Sequence, residues 1–149
     1  MVNSREDIFL GHFEHGLDEK GRLFIPARFR HKNGRGTFIL TRGLEQCLYL
    51  FPEKAWAGLA QKLAQLPLAD KKEERAFKRL LLAGATEAGV DSQGRVLIPQ
   101  SLLGWAGLAR EAVIIGVLSH VEIWASDKWA AYESGAQESF HRAAAHLEL

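Results

Sequence analysis

Asp18 and Arg22 stand four residues apart across a short Gly-containing segment, and Asp91 and Arg95 repeat the arrangement. An arginine fork can bond two phosphate oxygens, or the O6/N7 edge of guanine in the major groove. On a flexible loop that fork would lose rotamer freedom on binding. A carboxylate four residues back, across a tight turn, could hold the guanidinium in place beforehand. The competing reading is purely structural: the two pairs are turn salt bridges that brace the fold.

The repetition extends well beyond these four residues. Residues 18–26 read Asp-Glu-Lys-Gly-Arg-Leu-Phe-Ile-Pro, and residues 91–99 read Asp-Ser-Gln-Gly-Arg-Val-Leu-Ile-Pro, an offset of 73. The same offset aligns Cys47-Leu48-Tyr49-Leu50-Phe51 with His120-Val121-Glu122-Ile123-Trp124, and Trp56 with Trp129. An unbroken offset points to two repeats of one structural unit, presenting its Asp-x-x-x-Arg turn twice about a pseudo-twofold axis. The repeats are unequal. Lys20 of the first is Gln93 in the second, where Arg95 is the only basic residue from Ala88 to Ala109.

Charge supports the same region. Net charge is only +1, but Lys20, Arg22, Arg28, Arg30, Lys32, Arg35 and Arg42 place seven cations and no acid in 23 residues. Phe24, Phe29 and Phe38 are interleaved with them. Such a run suits a phosphate-facing patch. It equally suits a solvated face neutralised by acids from elsewhere, and charge alone does not choose.

Enzymatic motifs are thin. There is no Gly-x-Ser-x-Gly and no phosphate loop. Cys47 lies in an apolar strand candidate and reads as a small buried residue. His12-x-x-His15 lies in a segment that alternates like a strand, and Glu138-x-x-His141 is half of a di-metal pattern with no second half. Surface positions are expected for the two histidine-containing motifs, with no catalytic residue, no metal and no cofactor.

The elements that must position the turns follow from pattern. Segments 12–17 and 23–25 flank the first turn, and 88–90 and 96–98 the second, as hairpin arms. Asp at the first turn position bonds the amides ahead of it, and Gly21 and Gly94 supply the positive φ of a type I turn with a G1 bulge. Each Ile-Pro opens a short helix, over 27–32 and 100–105, the proline taking its first position. Strands follow at 37–40, 48–51, 113–116 and 121–124. A helix over 53–65 carries Trp56, Leu59, Ala60 and Leu63 on one face, and Asp70 caps another that buries Phe77, Leu80 and Leu81. Ser126 caps a last helix with Trp129 and Tyr132, and beyond residue 134 an Ala-rich charged tail is helical, frayed, or ordered only on a partner. The tryptophans Trp56 and Trp129 suit either core or intersubunit packing.

The 149 residues with 47% hydrophobic composition suffice for one interlocked domain, whereas two seventy-residue units would each have a poor surface-to-volume ratio. Its parts are a first repeat (8–60), linking helices (61–84), a second repeat (85–133) and the tail (134–149). Hairpins of the two units can pair into a shared barrel that removes exposed edges. No run of eighteen apolar residues predicts a membrane span. The first seven residues are too polar for a signal peptide, and a single cysteine fits a reducing compartment. A cytoplasmic protein is expected.

This order of elements resembles the MraZ family, the duplicated single-chain branch of the AbrB-like swapped-hairpin transcription factors. The resemblance runs from about Phe9 to Tyr132 through the two turns, Ile25-Pro26-Ala27-Arg28-Phe29-Arg30, Arg79-Leu80-Leu81-Leu82, Trp105-Ala106-Gly107-Leu108 and Glu122-Ile123-Trp124. It departs from the family in an extension of about eight residues before Phe9-Leu10-Gly11, and in the weakly charged segment after Pro99. The resemblance implies an α+β, mainly β, pseudo-symmetric swapped-hairpin β-barrel with appended helices. It implies a nucleoid-associated regulator that binds tandem repeats in the promoter of its own cell-division and cell-wall operon, on double-stranded DNA, as a homo-oligomeric ring. Arg22 and Arg95 are the matching arginines, braced by Asp18 and Asp91; Lys20, Arg28 and Arg30 join them from the charge pattern. The alternative is an antitoxin-like protein-interaction module using residues 134–149, in which the turns are structural braces only.

Overall fold

The computed structural model describes residues 8–34, 36–66 and 70–148; Arg35 of the basic run, the extension over 1–7 and Leu149 of the tail lie outside the described residues. In chain order the elements are β1 (Phe9–Gly16), β2 (Arg22–Phe24), α1 (Ala27–Lys32), β3 (Phe38–Arg42), β4 (Leu48–Phe51), α2 (Glu53–Ala64) and α3 (Lys71–Ala83). The second repeat continues with β5 (Thr86–Ala88), β6 (Arg95–Leu97), α4 (Gln100–Ala106), β7 (Glu111–Leu118), β8 (Val121–Ala125) and α5 (Ser126–His146).

Most strands join one antiparallel sheet of six, ordered β1-β7-β8-β4-β3-β5, while β2 and β6 form a separate two-stranded ribbon. The expected closed barrel is not formed. β1 and β5 remain the edges of an open sheet, and β2 and β6, which could have linked them, form a ladder with each other instead. The expected local hairpins are also minimal. β1 and β2 share only the bridge Leu17–Leu23, whereas β1 pairs along its length with β7 of the other repeat.

Pairing between repeats is reciprocal. β1 lies on β7 and β5 on β3; β4 pairs with β8 around Tyr49–Glu122, and β2 with β6 around Leu23–Val96. The offset does not run unbroken. Leu40 opposite Leu50 corresponds to Ile114 opposite Ile123, so β7 is displaced by 74 residues from β3 while β8 keeps 73 from β4. One extra residue before β7 is compensated by a shorter turn after it.

The core lies between the inner sheet face and a lid made of the ribbon, α1 and α4. Leu23, Ile25, Val96 and Ile98 from the ribbon region, Phe29 from α1 and Leu102 from α4 are buried against Leu40, Leu48, Leu50, Ile114, Val121 and Ile123. Burying such side chains contributes about 1.5–3 kcal/mol each, so the lid that carries the turns is fixed to the sheet. On the opposite face Cys47, Val113 and Trp124 form a smaller cluster with Tyr49, Ile115 and Trp129 packed on it.

Helix ends differ in detail from the expectation. Pro26 and Pro99 are N-caps rather than first helical residues, and each offers its carbonyl to two amides of the helix that follows. Asp70 caps α3 as expected, its carboxylate accepting from the Lys72 and Glu73 amides. Leu81 of that helix is buried, but Phe77 is only half-buried and Leu80 is exposed. Ala60 of α2 is likewise exposed. At α5 the N-cap is Ala125, not Ser126, and the helix runs on without a break to His146 with no buried residue.

Candidate nucleic-acid interface

Each Asp-x-x-x-Arg segment folds into a tight turn closed by backbone hydrogen bonds. The Asp18 carbonyl accepts the Gly21 amide at 3.1 Å, and the Asp18 amide donates to the Arg22 carbonyl at 3.0 Å. The equivalent bonds at Asp91, Gly94 and Arg95 are 3.0 and 2.8 Å. Gly21 and Gly94 adopt φ of +81° and +82°, the left-handed region that costs a side-chain-bearing residue about 1–2 kcal/mol.

The aspartates organise the turns from inside. Asp18 Oδ1 accepts the backbone amides of Lys20 and Arg22, both at 2.9 Å, and Asp91 Oδ1 accepts those of Gln93 and Arg95 at the same distance. The other oxygens hold the guanidinium groups: Arg22 Nε reaches Asp18 Oδ2 at 2.6 Å, and Arg95 Nε reaches Asp91 Oδ2 at 3.0 Å. Both carboxyls are held below the ordinary carboxylate range, chiefly by the arginine backbone amide and further by its guanidinium.

The antiparallel ribbon brings the two turns together. Arg22 faces Leu97, Leu23 faces Val96 and Phe24 faces Arg95. The Ile25 amide bonds the Gly94 carbonyl and the Ile98 amide bonds the Gly21 carbonyl, each at 2.9 Å, so each turn closes the end of the other repeat's strand. Strand alternation then sends Leu23 and Val96 into the core and Arg22, Phe24, Arg95 and Leu97 to the outer face. A further contact breaks the symmetry. Arg95 Nη1 lies 3.4 Å from Asp18 Oδ2, so both arginines converge on one carboxylate.

The five basic residues singled out in the sequence are thus not equivalent. Arg22 and Arg95 stand diagonally across the ribbon on one face, and Lys20 is exposed at the tip of the first turn. Arg28 is exposed on α1, its Cζ 5.8 Å from the Phe13 ring centre. Arg30 is half-buried: its Nε donates to the Ile25 carbonyl at 2.8 Å and its Cζ sits 5.2 Å over the Phe24 ring. A Cβ on Gly94 would come within 2.9 Å of that guanidinium, so the absence of a side chain there also makes room for Arg30.

Residue types alone left out the apolar members of this face. Phe24 lies on it under Arg30, with His15 edge-on at 4.9 Å, and Leu97 lies on it 57% exposed. The period-two alternation through residues 22–25 and 95–98 carried that signal. Of the other titratable motifs, Cys47 is buried, and burial pushes its thiol pKa up; Glu138 and His141 are exposed on α5. Among the described residues no three His, Cys, Asp or Glu side chains gather as a metal would require, and no helix is long and apolar enough to cross a membrane.

Known proteins are similar to this one over nearly the whole chain. Residues 8–80 and 81–149 each match the family described as "MraZ protein, putative antitoxin-like". A protein named Transcriptional regulator MraZ from Desulforamulus reducens is 44% identical over 140 residues, covering 94% of this chain and 97% of that one. The protein of the same name from Pelotomaculum thermopropionicum is 49% identical over 92% of this chain and 93% of its own. A third, from Thermomicrobium roseum, is 50% identical over 83% of this chain and 86% of its own. With a match in each half and relatives of equal extent, this chain belongs to the MraZ family.

Proposed function

We propose that the chain is a sequence-specific regulator of transcription that binds duplex DNA through the outer face of the β2–β6 ribbon and its two flanking turns. The observation that carries the reading is the pair of arginines on one face of the ribbon, each pre-bonded to a carboxylate across its turn. A two-stranded ribbon has the dimensions to enter the major groove, where arginine forks read guanine, and Lys20 and Arg28 on the flanks suit phosphates. Arg30, tied to the Ile25 carbonyl, supports the face more than it extends from it. The names of the relatives accord with this role. The family resemblance adds a swapped-hairpin arrangement, consistent with the cross-repeat pairing, and a ring-shaped homo-oligomer on tandem repeats in the promoter of the cell-division and cell-wall operon.

A single chain makes few contacts, so monomer binding is weak and salt-sensitive, each neutralised phosphate contributing roughly −0.9 to the log–log salt slope. Useful affinity comes from several linked chains on successive repeats, where effective concentration replaces contact strength. The test is a fluorescence-anisotropy titration of the duplex upstream of the protein's own coding sequence, with a scrambled duplex and a folded Arg22→Ala/Arg95→Ala variant as controls. Preference for the native duplex, lost in the variant, is expected. An unaffected variant would return the turns to structural braces.

The second reading is an interaction module, favoured by α5, whose residues are never buried and whose Phe140 is 71% exposed. A pull-down with the chain truncated after Glu133 separates the two. Loss of a stoichiometric protein partner with DNA binding unchanged would favour the module.

A further inference from the structure

Equivalent positions of the two repeats differ most on the outer face of the ribbon. In the first repeat Phe24 is covered, by the Arg30 guanidinium at 5.2 Å and by the edge of His15 at 4.9 Å. In the second repeat the equivalents of Phe24, Arg30 and His15 are Leu97, Leu103 and Ala88. Leu103 packs against the core and Ala88 is buried in β5, so neither covers its neighbour. Leu97 is left 57% exposed, directly opposite Arg22 and on the same strand face as Arg95.

What sets Leu97 apart from the other exposed leucines is its place between two arginines on the ribbon. Cross-strand neighbours have Cβ atoms about 4.5–5.5 Å apart, so Leu97 lies beside one guanidinium and two residues from the other. An apolar side chain flanked by two arginine forks, on an element sized for the major groove, matches one feature of a base edge. The C5-methyl of thymine is the apolar group displayed there, and it is read by apolar side chains.

We propose that Leu97 is a specificity-determining residue that contacts a thymine methyl while Arg22 and Arg95 take hydrogen-bonding edges or phosphates. This rests on the DNA-binding reading above and deepens it. Side chains two apart on a strand are separated by about 6.8 Å, comparable to two base steps of about 3.4 Å each. The thymine therefore lies within about two steps of the position served by Arg95. The first repeat cannot make the same contact, because Arg30 and His15 occupy the space over Phe24. Each chain consequently binds its site in one orientation.

The experiment uses the full chain and the upstream duplex, with each thymine replaced singly by deoxyuridine so that only a methyl is removed. Wild type, Leu97→Ala and the Arg22→Ala/Arg95→Ala variant are titrated in parallel. Losing one buried methyl corresponds to roughly a fourfold loss of affinity. Wild type should lose about that factor at one thymine per repeat. Leu97→Ala should lose about as much on the native duplex and nothing more at that thymine. Should Leu97→Ala bind like wild type, or keep the full deoxyuridine penalty, the proposal for Leu97 fails while an arginine-dependent preference leaves the DNA-binding reading standing. Absence of any preference in wild type, or an arginine variant that binds normally, would overturn the reading and this inference together.

Discussion

At the scale of single residues, the turns combine a backbone requirement with an electrostatic one. Asp18 and Asp91 each satisfy two amides and one guanidinium, and their lowered pKa values turn those bonds into an acid dependence. A carboxyl with a folded pKa below its unfolded value of about 3.9 contributes stability that is fully present above that value. The contribution is lost as pH falls through the lower folded value. The midpoint temperature should therefore drop as pH falls below about 4, and an Asp18→Asn/Asp91→Asn variant should show a shallower drop, read by thermal denaturation across that range. Asp18 holds both arginines and Asp91 only one. Asp18→Asn should accordingly weaken binding to the upstream duplex more than Asp91→Asn; equal losses would mean that the cross-turn ion pair does not matter. Gly94→Ala meets two obstacles, a φ of +82° and the Arg30 guanidinium within 2.9 Å of the new methyl. A loss of about 1–2 kcal/mol is expected, measured by urea unfolding.

At the scale of elements, the sheet is tied to α3 through its C-terminal end. The last carbonyls of a helix lack intrahelical donors; here β3 supplies one to Leu81 and adds a second to Leu80, which already accepts the Gly84 amide. The Thr41 hydroxyl donates to the Leu81 carbonyl at 2.6 Å, and Arg42 Nη1 donates to the Leu80 carbonyl at 2.6 Å. Thr41 is fully buried, the one polar side chain so placed among the described residues. Thr41→Val keeps the shape but strips the Leu81 carbonyl of its donor, at a cost of about 1–3 kcal/mol. Arg42 also lies 5.5 Å over the Trp105 ring of α4, so one side chain links α3, β3 and α4. The Thr41→Val loss is readable in chemical denaturation, and the proposed ribbon interface, which lies elsewhere, predicts unchanged DNA affinity; a parallel loss of affinity would contradict that separation.

For the whole molecule, the pairing pattern has a direct consequence. All four strands of each repeat find a partner in the other repeat, and β1, β2, β5 and β6 find their only ladder there. The first half alone would leave β1, β2, β3 and β4 without those partners. Because the registers are reciprocal, a second copy of the same half can supply each missing pairing. Residues 8–84 expressed alone should therefore be a homodimer at micromolar concentration and lose structure on dilution, by sedimentation equilibrium and circular dichroism. A folded monomer would show that each half closes on itself.

What the sequence determined by itself was local. Asp18 with Arg22, Asp91 with Arg95, and the two turn glycines interact within four residues, so their types and spacing specified the turns. Most helices and strands were legible for the same reason, since Pro, Gly and apolar periodicity act over one or two turns of chain. Tertiary structure decided everything that required distant segments to meet. The ion pair from Arg95 to Asp18 spans 77 residues, and nothing in either turn announces it. The open sheet in place of a barrel arose because β2 and β6 form their ladder with each other and not with the edge strands β1 and β5. Leu97 read as part of an apolar triplet until register set it opposite Arg22 and the second repeat's own side chains left it uncovered. Long-range pairing fixes which face of a strand meets water, and a composition shared by two repeats cannot reveal where their surroundings differ.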